Sequence, residues 1–385
     1  MFSLLIAIIY VSFISLGLPD SLLGSAWPIM HLEMDAPISY AGIVSMIISG
    51  STIVSSLLSD KLTRKLGAGL VTACSVFLTA GALLGFSLSP SFAWLCVFAV
   101  PYGLGAGAVD AALNNYVAVH YSARHMSWLH CFWGVGATIG PYIMSFAISA
   151  GHGWRAGYGI ISAIQIVLTL TLFLTLPIWK RSSADAQSED YEAPLGITDA
   201  VRIRGVKALL TAFLCYCAFE ATAGLWASSY LAEYRDVDAE TAASFASLFY
   251  LGITAGRFVS GFIADRIGDK NMIRIGLGII FTGLLCIVLP VKTPFPALMG
   301  LVIIGIGAAP VYPSIIHSTP SHFGKENSHA IVGIQMASAY VGSTFVPPLF
   351  GLIARYAHIA FYPLFMTLFI LFTLFMTEKV NKLCK

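Results

Sequence analysis

Three carboxylates and one amide stand where the surrounding sequence is too apolar to welcome them. Asp20 lies in Gly17-Leu18-Pro19-Asp20-Ser21-Leu22-Leu23-Gly24, about two-thirds of the way along an apolar run from Met1 to Met30. A charge in the hydrocarbon of a bilayer costs roughly 3 kcal/mol or more, so a carboxylate kept there marks a functional site by default. Asp110 and Asn114 are four residues apart and share one helical face, which points that face to a polar cavity rather than to lipid. Glu220 heads Glu220-Ala221-Thr222-Ala223-Gly224 in the second half of the chain. Carboxylates at such depth can take up a proton on one side of a membrane and release it on the other.

The chemistry implied is binding and proton exchange, not bond-making. The chain has no Walker-type phosphate loop, no serine nucleophile elbow and no H-E-x-x-H pattern, so neither ATP, a metal nor a cofactor is expected, and the protein is not read as an enzyme. Its seven cysteines are scattered without a C-x-x-C pair.

Composition names the medium that must hold these residues. With 57% hydrophobic and 10% charged residues, the chain departs far from the roughly 25% charged typical of soluble domains. About 20 apolar residues cross the hydrocarbon as a helix. Twelve such runs can be cut, near 2–30, 40–59, 68–88, 92–119, 128–150, 157–178, 207–232, 241–264, 272–290, 296–317, 328–354 and 361–377. The fold class expected is an all-α membrane protein of twelve transmembrane helices in two pseudo-symmetric six-helix bundles.

Lysine and arginine set the orientation, because cytoplasmic loops carry the excess. With the N-terminus inside, sixteen of the 21 basic residues fall on the inner side; Arg155, Arg235, Lys292 and Arg355 fall outside and Arg257 lies within the eighth run. Both termini are expected to be cytoplasmic, in a multi-pass protein of a cell membrane, the bacterial inner membrane being favoured. The first run lacks a basic n-region and a small-residue cleavage site and is read as a retained helix. The net charge of +2 then reflects orientation, not a nucleic-acid surface.

The polar stretch Trp179 to Lys207 divides six runs from six, giving an N-terminal bundle over 1–178, a cytoplasmic linker over 179–206 and a C-terminal bundle over 207–385. The halves repeat weakly. Asp20-Ser21-Leu22-Leu23-Gly24 resembles Glu220-Ala221-Thr222-Ala223-Gly224, Gly103-Leu104-Gly105-Ala106 resembles Gly305-Ile306-Gly307-Ala308, and the stretch Ser56 to Lys65 resembles Gly261 to Lys270.

On these features the chain resembles a major facilitator superfamily transporter. That family carries, after its second and eighth helices, a glycine, three residues, an aspartate, a basic residue and a further glycine. Gly261, Asp265, Arg266 and Gly268 satisfy the pattern; the first copy has Ser56, Lys61 and Thr63 at the departing positions and keeps the charges. The resemblance implies a gating role for Asp60, Arg64, Lys65, Asp265, Arg266 and Lys270; simple anchoring by positive charge is the alternative. Arg257, eight residues before Asp265, lies about 12 Å inside the helix end and is placed with the gate or with structure.

Within the superfamily, three segments resemble the fucose permease group of sugar:proton symporters. Run one has its midmembrane aspartate, and run four has an acidic residue, Asp110, followed four positions later by Asn114. In run five His130 and Trp133 stand where the group has glutamine and asparagine. The resemblance implies proton coupling through Asp20, Asp110 or Glu220. Substrate contacts then fall on Asp20, Asp110, Asn114, His130, Trp133, Tyr312 and Gln335. Aromatic rings and amides suit a sugar, which offers C–H faces and hydroxyl edges. Each carboxylate has a structural reading too, as a hydrogen-bonding link between helices.

The function expected is proton-coupled symport of a neutral sugar or similar small polar solute by alternating access. The partners would be that solute, protons and membrane lipids, the working form a monomer, and no nucleic acid is involved. A proton-antiport exporter of an amphipathic or drug-like compound is the alternative; a membrane-embedded sensor or enzyme is a third class.

Overall fold

The computed structural model describes residues 4–20, 22–37, 40–184, 195–237, 239–291 and 293–384. Nearly all of these are helical, and no strand occurs among the described residues. In chain order the helices are α1 (Leu4–Gly17), α2 (Leu22–Glu33), α3 (Tyr40–Leu66), α4 (Ala68–Leu88), α5 (Phe92–His120), α6 (Ala123–Ser149), α7 (Gly153–Ala184) and α8 (Ile197–Arg202). They continue with α9 (Val206–Tyr234), α10 (Ala239–Ile267), α11 (Asp269–Val288), α12 (Phe295–Ala308), α13 (Val311–His317), α14 (Thr319–Phe323), α15 (Lys325–Tyr356) and α16 (Tyr362–Leu383).

Eleven helical stretches among the described residues are long and apolar enough to cross a membrane. The 29-residue α10 occupies the place of the eighth run. Large apolar side chains such as Leu174, Phe146 and Phe375 stand exposed, as helices in lipid require.

Run ten is not a single helix, and run one breaks where Pro19, with Gly17 and Gly24 near it, leads one to expect. Run one breaks after Gly17 into α1 and α2, because Pro19 has no backbone N–H to continue the ladder. Run ten breaks into α12, α13 and α14, with Pro310 and Pro320 at or beside the interruptions.

The chain forms two compact units. One contains Met1–Tyr116 and Phe132–Leu195, the other Val117–Cys131 and Gly196–Lys385. The division expected at the linker therefore differs in one respect: the turn joining α5 to α6 groups with the second unit. Residues 185–194, the acidic middle of that linker, lie outside the described residues.

Each unit shows the internal repeat in its backbone. Gly67 (φ 80°, ψ 152°) opens α4 and Gly268 (φ 79°, ψ 151°) opens α11, while Asp35 and Asp236 take left-handed φ values of 50° and 52° after α2 and α9. The motif copies are nevertheless one helical turn out of step. In the second unit Gly268 itself supplies the left-handed residue that ends α10, a conformation glycine adopts without strain. Thr63 stands at the matching position of the first copy and cannot take that φ cheaply, so α3 runs on to Leu66 before Gly67 stops it. Asp60 is consequently buried one turn inside its helix and bonds Arg64 of the same helix at 2.8 Å.

Serine contacts hold α3 to α5 in the first unit. Ser55, Ser56 and Ser59 donate to the carbonyls of Leu104, Gly107 and Ala108. This fixes the helix that carries Tyr102, Asp110 and Asn114.

Candidate functional site

In the first unit the site is built around the break in α1. Leu18 N still bonds Ile14 O, but Asp20 N turns back to Gly17 O at 3.2 Å and Leu22 N to Pro19 O at 3.1 Å, so Asp20 projects from a tight turn. Its neighbour α6 lies against α1 backbone to backbone. A Cβ on Gly17 would overlap the Trp133 carbonyl, one on Gly136 the Ile14 carbonyl and one on Gly140 the Leu18 carbonyl. Only glycine permits that approach, and it brings Trp133 beside the aspartate.

Trp133 Nε1 donates to Asp20 Oδ2 at 2.9 Å, and the Tyr102 hydroxyl donates to Asp20 Oδ1 at 3.4 Å. Among the described residues these neutral donors are its hydrogen-bond partners. The side chain is exposed rather than sealed in the helices, and it opens on a cavity of about 180 Å³ with Ser45, Ser49, Phe86 and Tyr158 on its walls. Asp110 and Asn114 are buried. Asn114 Nδ2 donates to Asp110 Oδ1 at 2.8 Å and to its carbonyl at 3.0 Å, so the two share a face and satisfy each other.

The second unit has its own cluster. Glu220 on α9 pairs with Arg257 on α10 at 3.5 Å. The Tyr216 hydroxyl lies 2.7 Å from both Glu220 Oε2 and the Ala308 carbonyl. That hydroxyl has one hydrogen for two acceptors, so it is shared between them. Tyr312, on the short helix after the Pro310 break, gathers the rest: His130 packs edge-on against its ring at 4.7 Å, Phe213 lies at 4.7 Å, and the Arg257 guanidinium sits 5.8 Å from its centroid. Gln335 is fully buried, and its Oε1 accepts from Thr319 at 2.9 Å.

A third grouping lies at the end of α10. Asp265 accepts from Arg124 N at 2.9 Å and from the Ser122 hydroxyl at 3.0 Å, with the Arg124 Nε at 3.5 Å. It thus sits at the amino end of α6, where unpaired N–H groups favour a negative charge. Beside it, His317 Nδ1 is 2.7 Å from Asp269 Oδ2 and its Nε2 is 3.1 Å from the Tyr121 carbonyl. An imidazole facing two acceptors needs a hydrogen on each nitrogen.

The residues expected from sequence therefore fall into separate groups. Asp20 and Trp133 meet directly, and Asp110 meets Asn114. Glu220, Arg257, Tyr312 and His130 gather around one tyrosine in the second unit. Arg257, placed with the gate or with structure by its distance from the helix end, pairs with Glu220. Lys65, Arg266 and Lys270 are exposed at the ends of α3, α10 and α11. Tyr102 was not singled out; its position eight residues before Asp110, about two turns, was the available signal. The His317–Asp269 contact joins residues 48 apart in sequence and gives no local signal.

The chain matches the sequence model of the Major Facilitator Superfamily over residues 9–347 and again over 208–383. It is 24% identical to the uncharacterized MFS-type transporter YfkL of Bacillus subtilis (strain 168) over 359 residues, covering 91% of this chain and 89% of that one. Among solved structures it is similar to the E. coli fucose:proton symporter FucP, with a TM-score of 0.74 at 16% identity over 96% of this chain and 98% of that one. It is similar also to the proton:xylose symporter XylE, with a TM-score of 0.76 at 12% identity over 99% and 98%. At these identities the structural likenesses establish the fold.

Proposed function

The chain belongs to the major facilitator superfamily of transporters, and we propose that it carries a neutral sugar or similar small polyol across a cell membrane in symport with protons. The observation that carries this reading is the setting of Asp20: a carboxylate inside a membrane-spanning segment, open to a cavity, and held by Trp133 and Tyr102 without a basic partner among the described residues. A permanent cation beside it would pin the charge. Neutral donors let the group take a proton and lose it again while staying in place. Serine hydroxyls and aromatic faces on the same walls suit a ligand with hydroxyl edges and C–H faces. The fold shared with FucP, a fucose:proton symporter, and XylE, a proton:xylose symporter, supports the same direction.

In this reading Asp20 is the coupling carboxylate, with Asp110 and Asn114 behind it and Glu220 as the proton-binding group of the second unit. Trp133, His130, Tyr312 and Gln335 contact or shape the substrate site. Asp265 with Arg124 and Ser122, helped by Asp60, Arg64, Lys65, Arg266 and Lys270, works at the gate. The termini are cytoplasmic and a monomer is the working unit.

One observation favours a second reading. Asp20 beside the rings of Trp133, Tyr102 and Phe86 would also hold an organic cation, as in an antiport exporter of amphipathic compounds. A binding screen of sugars, lipids and hydrophobic cations on purified protein, followed by pH-jump uptake into liposomes, separates the two. Sugar binding with acid-driven uptake upholds symport; binding of hydrophobic cations without any sugar overturns it.

A further inference from the structure

The break in α1 leaves a problem that Gln165 solves only halfway. Ser15 O would receive its helical hydrogen bond from residue 19, but Pro19 has no N–H. Gln165 on α7 fills that gap, donating from Nε2 to Ser15 O at 2.7 Å. The other end of the same amide, Oε1, is buried and has no partner among the described residues. An amide oxygen left unpaired in a membrane core is costly, so something outside the chain is required to meet it.

Room for that partner lies beside it. A void of about 10 Å³ lies between α1, α4, α5 and α7, bordered by Gln165, Ser12, Ser15, Thr79, Leu16, Val76 and Tyr102. That is close to the smallest space that holds one water, roughly 10–15 Å³. Its polar walls complete the account. Ser12 donates its hydroxyl hydrogen to Ile8 O at 2.9 Å, and Thr79 donates its own to Val76 O at 2.9 Å. Both oxygens therefore keep lone pairs, and with Gln165 Oε1 they offer a water three acceptors for its two hydrogens, while the Ser15 hydroxyl on the same wall can donate to the water's oxygen. A sodium or potassium ion would need five or more oxygens and more room; a water needs two acceptors for its two hydrogens.

We propose that this void is a resident water site, in which one water donates to Gln165 Oε1 and to Ser12 or Thr79, sealing the broken turn that presents Asp20. Pro19 and Tyr102 border both this void and the larger cavity at Asp20. Gln165, which by residue type could pass for a sugar ligand, is thereby a positioning residue that acts through α1.

X-ray-generated hydroxyl radicals test this on purified full-length protein in lipid nanodiscs, because bound water is converted to radical in place and labels the side chains around it. Val76 and Leu16 border the void and not the larger cavity. Both should be oxidised in proportion to dose, and after millisecond mixing with H₂¹⁸O the label should carry mainly ¹⁶O from water already resident. Gln165→Leu should reduce Val76 labelling at least tenfold while the protein still elutes as a single species. Absence of label at Val76 and Leu16 in the wild-type protein overturns the proposal without any variant. Full ¹⁸O incorporation there overturns it too, since that marks a channel open to solvent and not a held molecule.

Discussion

Trp133 reaches Asp20 from a different helix and donates its indole hydrogen across 2.9 Å, a contact that exists only because α1 and α6 touch through glycines. The ring is fixed by its own helix and the aspartate by a turn. The pair is therefore a rigid donor and acceptor set, with the carboxylate's remaining surface facing the cavity.

Asp20→Asn should abolish proton-driven accumulation while leaving exchange of substrate across the membrane measurable, because the amide keeps the shape and cannot gain or lose the proton. Liposomes with and without an imposed pH gradient give both readings. Concentrative uptake at the wild-type level by that variant would remove Asp20 from the coupling role. Trp133→Phe keeps the ring and deletes the donor. A hydrogen bond to a charged group contributes about 1.5–3 kcal/mol, so substrate affinity or coupling should fall by roughly 10- to 100-fold.

Glu220 and Arg257 should prove energetically coupled. Arg257 is almost wholly buried, whereas Glu220 is about one-fifth exposed (3% and 20% of the side chains). The full 3–5 kcal/mol for breaking a buried pair is therefore discounted to about 1–3 kcal/mol. Thermal unfolding of Arg257→Gln, Glu220→Gln and the double variant in detergent measures the coupling. Additive losses would show that the two side chains are mere neighbours.

Gly136→Val should fail where Gly278→Ala succeeds. The first places carbon atoms on the Ile14 carbonyl oxygen, and the second meets nothing within 4 Å. Separation of α1 from α6 should cost more than about 3 kcal/mol and appear as loss of monodisperse protein. The alanine should be neutral or stabilising by up to about 1 kcal/mol. A well-folded Gly136→Val with unchanged melting would contradict the close α1–α6 contact.

The His317 contacts carry a pH dependence whose sign follows from geometry. Both ring nitrogens face acceptors, so both bonds exist while the imidazole has two hydrogens, and one is lost as the pH rises and a hydrogen leaves. Wild-type thermal stability should accordingly decline as the pH rises above about 6.5, by more than that of His317→Leu. Parallel curves for the two proteins would show that the ring does not titrate in this contact.

Asp265→Asn keeps acceptor capacity but gives up the charge at the amino end of α6, a loss of about 0.5–1 kcal/mol. Hydrogen exchange at the amides of residues 122–126 should quicken several-fold. Unchanged protection there would place the hold on α6 elsewhere.

Much of this protein is legible in the chain alone, for one reason: lipid leaves few choices. Apolar length fixes the helices, since every backbone group must be paired within its own segment, and charge in such a segment singles out Asp20, Asp110 and Glu220. Spacing by four places Asn114 with Asp110, and Pro19 marks the break. Partners across helices carry no such constraint. That Trp133 meets Asp20, that Arg257 pairs with Glu220, and that Gln165 mends the Ser15 carbonyl were decided by where glycine and serine faces let helices approach. Such contacts join residues 37, 113 and 150 positions apart. Helical periodicity relates neighbours within a few turns; packing at those distances is set by three-dimensional fit.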